Sequence, residues 1–245
     1  YGVPNIMTAD GPAGLRIAPE CGICTTAWPC ATLLACTWNT DLIEMIGEAG
    51  AKEVKENNIG VWLTPAVNIH RNPLCGRNFE YYSEDPLVAG KMGAAMVRGI
   101  QSRHIAATVK HFAANNKETN RKHSDSRVSE RALREIYLKA FQIIVEEADP
   151  WAIMSSYNII NGHRASECKE LLEDILRGEW AFKGMVTTDW WTRGEHYKEI
   201  KAGNDLKMAN GFPERVKRAM DLGELDRKDL EHCAKRILEL ILKLD

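Results

Sequence analysis

Gly184-Met185-Val186-Thr187-Thr188-Asp189-Trp190-Trp191 is a short apolar, β-branched run behind a glycine, cut off by a carboxylate and two indoles. Such a run reads as a buried strand. In a parallel α/β architecture, a polar group at the carboxyl end of a strand stands where ligands bind, which makes Asp189 the leading candidate for a catalytic carboxylate. Trp190 and Trp191 offer a flat apolar wall suited to the CH face of a sugar ring. An Asp here also suits a helix N-cap just past a strand, so the stretch needs support from the rest of the chain.

That support is positional. Further strand-like pieces fall at residues 5–8, 61–65, 106–109, 151–155 and 204–208, and residues 20–38 resist assignment. Helical periodicity separates the strands: residues 41–57, 86 to about 103, 129–147, around 167–179, and one helix before 204. Two helices close the chain, 213–222 and 227–244, the second striped by Leu230, Cys233, Ile237 and Leu240. This alternation is the signature of a parallel sheet covered by helices. A Rossmann sheet is the rival, but no G-x-G-x-x-G follows the first strand. The expectation is an α/β fold, a TIM-like (β/α)8 barrel, in a single domain over residues 1–245, although only about six strands are legible against eight for closure.

The chain of 245 residues has a formal net charge of -2, which gives no reason to expect nucleic acid or an anionic membrane as partner. Apolar runs are too short to span a bilayer, and nothing at the start resembles a signal peptide, although Tyr1 stands where an initiator Met would be. Seven cysteines are scattered, and Cys21-Gly22-Ile23-Cys24 lacks the second ligand pair of a zinc knuckle. The thiols are expected to be reduced and mostly buried, in a cytoplasmic setting. The absence of an Asn-x-Ser/Thr acceptor agrees with that. No metal or cofactor is expected.

Asp10, Lys110, His111, Tyr157 and Asp189 each fall at or just past the carboxyl end of an expected strand, the positions from which barrel enzymes build their active sites. One carboxylate to react and a set of Asp, Lys, His and Arg to grip hydroxyls make chemical sense together. Read singly, the same residues have structural roles open to them: a turn cap for Asp10, a brace to Glu80 for Arg77, a solvated strand end for Lys110, a satisfied core histidine for His111, packing for Tyr157 and Trp190, and a helix start for Glu84 and Asp85. A Schiff-base lyase using Lys110 is a third chemistry.

Several motifs resemble glycoside hydrolase family 3, specifically the barrel domain of its β-glucosidase branch. They are Asp10-Gly11-Pro12-Ala13-Gly14-Leu15-Arg16, Asn72 to Glu80 with Ser83-Glu84-Asp85-Pro86, Lys110-His111-Phe112 through Asn115 to Arg121, Ser155-Ser156-Tyr157-Asn158, Thr188-Asp189-Trp190 and Ala202-Gly203-Asn204-Asp205. The resemblance implies a retaining, exo-acting hydrolase of terminal β-linked sugars with Asp189 as nucleophile. It implies that Asp10, Arg77, Lys110 and His111 bind sugar hydroxyls, with Arg16 and Arg121 in support. Tyr157 matches a hydroxyl beside the nucleophile, and Trp190 a stacking wall.

A retaining mechanism needs a second carboxyl about 5–5.5 Å from the first. In the β-glucosidase branch this Glu lies outside the barrel, so a second domain or a partner chain is expected to supply it. His123 and Asp125 sit where a sister branch keeps a His–Asp pair, but without that branch's surrounding pattern. The family's early barrel segment also has no counterpart before Tyr1, so the barrel is expected to be incomplete at its N-terminal start or folded around a shortened one. The alternative is a sugar-binding or catalytically impaired barrel lacking its acid/base.

Overall fold

The computed structural model of the chain describes residues 2–244. Its strands are β1 (Thr8–Asp10), β2 (Val61–Leu63), β3 (Ala106–Phe112), β4 (Asp125–Ser126), β5 (Ala152–Ser155), β6 (Ile159–Ile160), β7 (His163–Arg164) and β8 (Met185–Thr188). Its α-helices are α1 (Ala31–Ala35), α2 (Thr40–Glu56), α3 (Pro86–Gln101), α4 (Glu130–Ala132), α5 (Lys139–Ala148), α6 (His196–Ala202), α7 (Pro213–Asp221) and α8 (Arg227–Ile241). β1, β2, β3, β5 and β8 form one sheet in that spatial order, every neighbouring pair parallel. Strands that are sequential, adjacent and parallel, with helices between them, are the walking pattern of a β/α barrel. The ladders trace an open arc of five strands, while β4, β6 and β7 make a small separate sheet.

The two-residue period of a strand sorts its side chains. Val61 and Leu63 face an interior cluster with Ala106, Ala152, Met154 and Met185, whereas Trp62 between them joins the larger core beneath the helices. Leu240 of α8 belongs to the interior cluster and Ile237 packs against it, so part of the apolar stripe of α8 is buried against these strands. The rest of the expected stripe, Cys233 and Leu230, packs instead with α6 and α7.

Three expectations are corrected. The helix over 129–147 is interrupted by a π-helical stretch at Leu133–Tyr137, and Glu170–Glu179 is π-helical as well. The expected strand at 204–208 shrinks to a single bridge, Thr187 to Leu206. There the Asp205 carboxylate takes the Val186 N–H at 2.7 Å and ties it to Arg177 and Arg236, so a side chain holds an amide that a longer ladder would use. The cysteines are not mostly buried: Cys233 is, but Cys21, Cys24 and Cys36 are exposed, in a segment whose irregular backbone stays at the surface. Among the described residues no cluster of metal-ligating side chains occurs, and no helix is long and apolar enough to cross a membrane.

The close approach of α3 to α2 depends on one hydrogen atom. A Cβ on Gly99 of α3 would lie 2.1 Å from the Glu44 carbonyl of α2, whereas one on Gly76 would meet nothing within 4 Å. Gly99→Ala is therefore expected to cost about 1–3 kcal/mol in urea denaturation, and Gly76→Ala, as control, to leave the midpoint near that of the wild type.

Candidate active site

At the carboxyl ends of the parallel strands lies a cavity of ≈ 560 Å³ lined by Asp10, Arg16, Arg77, Lys110, His111, Arg121, Asp189 and Trp190, with Phe79, Glu80, Leu63 and Met154. The parallel register brings these side chains together. Asp10 ends β1, Lys110 and His111 lie near the end of β3, and Asp189 follows β8. Eight of the nine residues singled out from the sequence line this cavity. Tyr157, the ninth, stands beside it and donates its hydroxyl to the Trp190 carbonyl at 2.5 Å.

Asp189 is 8% exposed. Its Oδ1 accepts the Trp190 N–H at 2.7 Å, and its backbone N–H donates to Ser155 O at 3.1 Å. Oδ2 is buried without a hydrogen-bond partner. Most buried polar oxygens in a folded protein are satisfied, which sets this carboxylate oxygen on a cavity wall apart. Burial pushes the Asp189 carboxyl above its usual value, opposed by the Trp190 amide and by the charges of Lys110 and Arg77.

The rest of the wall is a set of fixed donors and acceptors. Lys110 Nζ, itself almost fully buried, donates to Asp10 Oδ1 at 2.5 Å, and Arg16 donates to Asp10 Oδ2 at 3.3 Å. Burial raises the Asp10 carboxyl, but Lys110, the Gly11 amide and Arg16 together outweigh it and hold Asp10 below its ordinary value. Arg77 pairs with the buried Glu80 and donates through Nη2 to His111 Nε2 at 2.9 Å. Because that nitrogen accepts, the proton of a neutral ring sits on Nδ1, which faces Asn68 Oδ1 at 3.3 Å. Burial and the neighbouring Arg77, Lys110 and Arg121 charges hold His111 well below its ordinary value, so the approach of its Nε2 to Asp189 Oδ2 at 3.9 Å is not an ion pair.

Arg121 lies over the Tyr157 ring at 4.5 Å and pairs with Glu118 at 2.8 Å. Burial and then the Asp189 charge push the Tyr157 phenol upward, so it stays protonated and donates. Trp190 is partly buried against the interior cluster and turns toward the cavity. Trp191, expected to share that wall, is instead 62% exposed, its N–H held by Met208 O. His123 and Asp125 do not line the cavity, and Asp125 engages Arg127 and the Gly162 amide. Asp85 is a helix N-cap, accepting from Leu87 and Val88.

Sequence reading missed the scaffold behind these groups. Asn68 holds His111 through both its N–H and its carbonyl, at 2.8 and 2.9 Å. Tyr81 packs edge-on to the His111 ring. Glu118 lies near both Arg77 and Arg121. Glu80 and Glu118 had a signal, their i,i+3 spacing to Arg77 and Arg121; Asn68 and Tyr81 reach His111 across long stretches of chain that no local pattern announces.

A parallel β/α arc with a charged cavity at its strand tips and an acidic side chain on the wall has the arrangement of a barrel enzyme. The model of the glycosyl hydrolase family 3 N-terminal domain matches residues 1–240, and the chain belongs to that family. It is 66% identical over 230 residues to β-glucosidase A of Butyrivibrio fibrisolvens, covering 94% of this chain and 28% of that protein. It is 42% identical over 252 residues to an exo-α-(1→6)-L-arabinopyranosidase of Bifidobacterium longum, covering 99% of this chain and 33% of that protein. The structure of β-glucosidase 3B from Thermotoga neapolitana in complex with α-D-glucose superposes with a TM-score of 0.96 at 46% identity, covering 99% of this chain and 36% of that one. The chain thus spans about a third of the length of the relatives it matches.

The depressed His111 value gives stability a pH dependence. Below the ordinary value of 6.5 the unfolded chain takes up a proton that the folded ring refuses, so this contribution is complete above 6.5 and is lost as pH falls below it. Urea midpoints at pH 7.5 and 5.5 should differ less in His111→Gln than in the wild type.

Proposed function

We propose that this chain is the nucleophile-bearing barrel domain of a retaining, exo-acting β-glycosidase of β-glucosidase type, with residues 1–245 forming a single unit. The observation that carries the reading is the buried, unpartnered Oδ2 of Asp189 in a cavity of fixed hydroxyl partners. Asp189 attacks the anomeric carbon as the aglycone oxygen leaves with a proton from an acid. The resulting glycosyl ester is then broken by water, which restores the carboxylate. Asp10 is the fixed acceptor for sugar hydroxyls, and Lys110 and Arg77 are fixed donors. A hydroxyl missing from the ligand forfeits the hydrogen bonds these fixed groups would make to it, which is how such a wall discriminates between sugars. Trp190 covers an apolar sugar face, and Tyr157 and Arg121 close the side next to the nucleophile.

The acid/base belongs to a second domain or partner chain. Every other carboxylate lining the cavity is already paired with a cation, Asp10 with Lys110 and Arg16, and Glu80 with Arg77. Asp10, held below its ordinary value by its cations, is a poor proton donor, and Glu80 is engaged by Arg77. The same observation supports the second reading, a sugar-binding barrel that turns over only substrates needing little acid help. The ion pair of Lys110 with Asp10 disfavours the Schiff-base chemistry, since the amine is engaged as a donor. The relatives act on more than one sugar by name, so β-glucoside is the proposed class and the aglycone stays open.

A 2-deoxy-2-fluoro-β-glucoside with a dinitrophenolate leaving group needs little acid assistance and traps the covalent intermediate. It is expected to add one fluorosugar to Asp189, read by peptide mass spectrometry; labelling elsewhere overturns the assignment. Asp189→Asn should abolish labelling while keeping glucose affinity. Asp10→Asn should weaken glucose binding by about 1.5–3 kcal/mol in calorimetry, the scale of a charged hydrogen bond.

A further inference from the structure

Behind the Asp189 strand end lies a second ionic group that the chemistry above does not use. Glu199 is 0% exposed and forms an ion pair with Lys207, also buried. Two full charges out of water are costly, and a pair of this kind is weak evidence for stability in itself. Its contacts are selective. Glu199 Oε1 accepts from Thr192 Oγ1 at 2.7 Å and from Ser166 Oγ at 2.9 Å. Lys207 Nζ donates to Thr192 Oγ1 at 3.0 Å and to Gly194 O at 3.3 Å. The loop that leaves Asp189 is thus held three and five residues downstream. A Cβ on Gly194 would lie 2.3 Å from Glu199 Oε1, so the loop rests directly on the carboxylate.

The network continues to Asp189 from the other side. Asn204 donates to Ser166 O at 2.6 Å and accepts from Ser155 Oγ at 2.8 Å, and Ser155 O receives the Asp189 N–H. Ser155, Ser166 and Asn204 are all buried. The amide of Asp189 and the loop beyond it are therefore fixed to one buried polar network with the ion pair at its head. A satisfied network in a low-dielectric interior rigidifies what it touches.

We propose that Glu199 and Lys207 are positioning residues for the Asp189 strand end, acting through Thr192 on the loop and through Ser166, Asn204 and Ser155 on the Asp189 amide. The proposal rests on the reading of Asp189 as nucleophile. Thr192→Val keeps the shape of the side chain and leaves the ion pair intact, but removes the hydroxyl that joins it to the loop; Thr192→Ser keeps that hydroxyl. Inactivation by the dinitrophenyl 2-fluoroglucoside separates the covalent rate constant from the dissociation constant of the initial complex. Thr192→Val should lower the covalent rate constant by about tenfold to a hundredfold, the scale of a misplaced reacting group. The dissociation constant should change by less than about threefold and Thr192→Ser should retain the wild-type rate, with glucose affinity tracking the dissociation constant. A Thr192→Val rate equal to the wild type, or an equal loss in Thr192→Ser, overturns the proposal while Asp189 labelling stands. A wild-type chain labelled elsewhere overturns the nucleophile reading and this proposal with it.

Discussion

Burying an ionisable carboxylate is the constraint to which the rest of the site answers. Desolvation disfavours the charged form of Asp189, and an apolar pocket would leave it protonated and useless as an attacking group. Lys110, Arg77 and the Trp190 amide oppose that penalty. The cations in turn need their own anions, and Asp10 and Glu80 supply them. His111 contributes no charge; it is held neutral by the same cations and serves as a hydrogen-bonding link to Arg77. The cavity is best understood as one balanced set of charges in which Asp189 keeps a buried oxygen without a hydrogen-bond partner.

The parallel sheet makes that balance geometrically available. Side chains at the ends of neighbouring parallel strands stand side by side and point the same way, so residues 100 positions apart, such as Asp10 and Lys110, meet at 2.5 Å. On the same strands Val61, Leu63, Ala106, Ala152, Met154 and Met185 form an apolar cluster against which Leu240 and Ile237 of α8 pack. The arc thus carries charged side chains at its strand tips and apolar ones packed against the last helix.

Layers of support surround the cavity in proportion to the precision it needs. Asn68 holds the His111 backbone on both sides. Glu118 stands between Arg77 and Arg121. The Asp205 carboxylate, pinned by Arg177 and Arg236, takes the Val186 amide in the strand that leads to Asp189. Groups held in this way do not have to be ordered when a ligand binds, which lowers the cost of binding.

The alternation of short apolar strands with amphipathic helices was legible in the residues themselves, because strand and helix periods differ and neither needs a partner to show. So were the polar groups closing Ala106–Phe112 and Met185–Thr188, since an apolar run broken by a charge is a local event, whereas the first strand lies at Thr8–Asp10 and not at residues 5–8. What the sequence could not decide depended on distant partners. Trp190 and Trp191 are identical in type and adjacent, yet backbone held by Met208 turns one outward and leaves the other on the cavity. Residues 204–208 carry a strand-like pattern, but the Asp205 side chain binds the Val186 amide and the ladder stops at one bridge. The seven cysteines gave no sign of exposure, because burial follows from whether other elements cover a segment, and little covers residues 20–24. Glu199 and Lys207, eight residues apart in an unremarkable surface-like stretch, become a buried pair only when the chain folds back around the end of the Asp189 strand. Periodicity is written along a chain one residue at a time; electrostatic compensation exists only between residues that the fold has brought within a few ångströms.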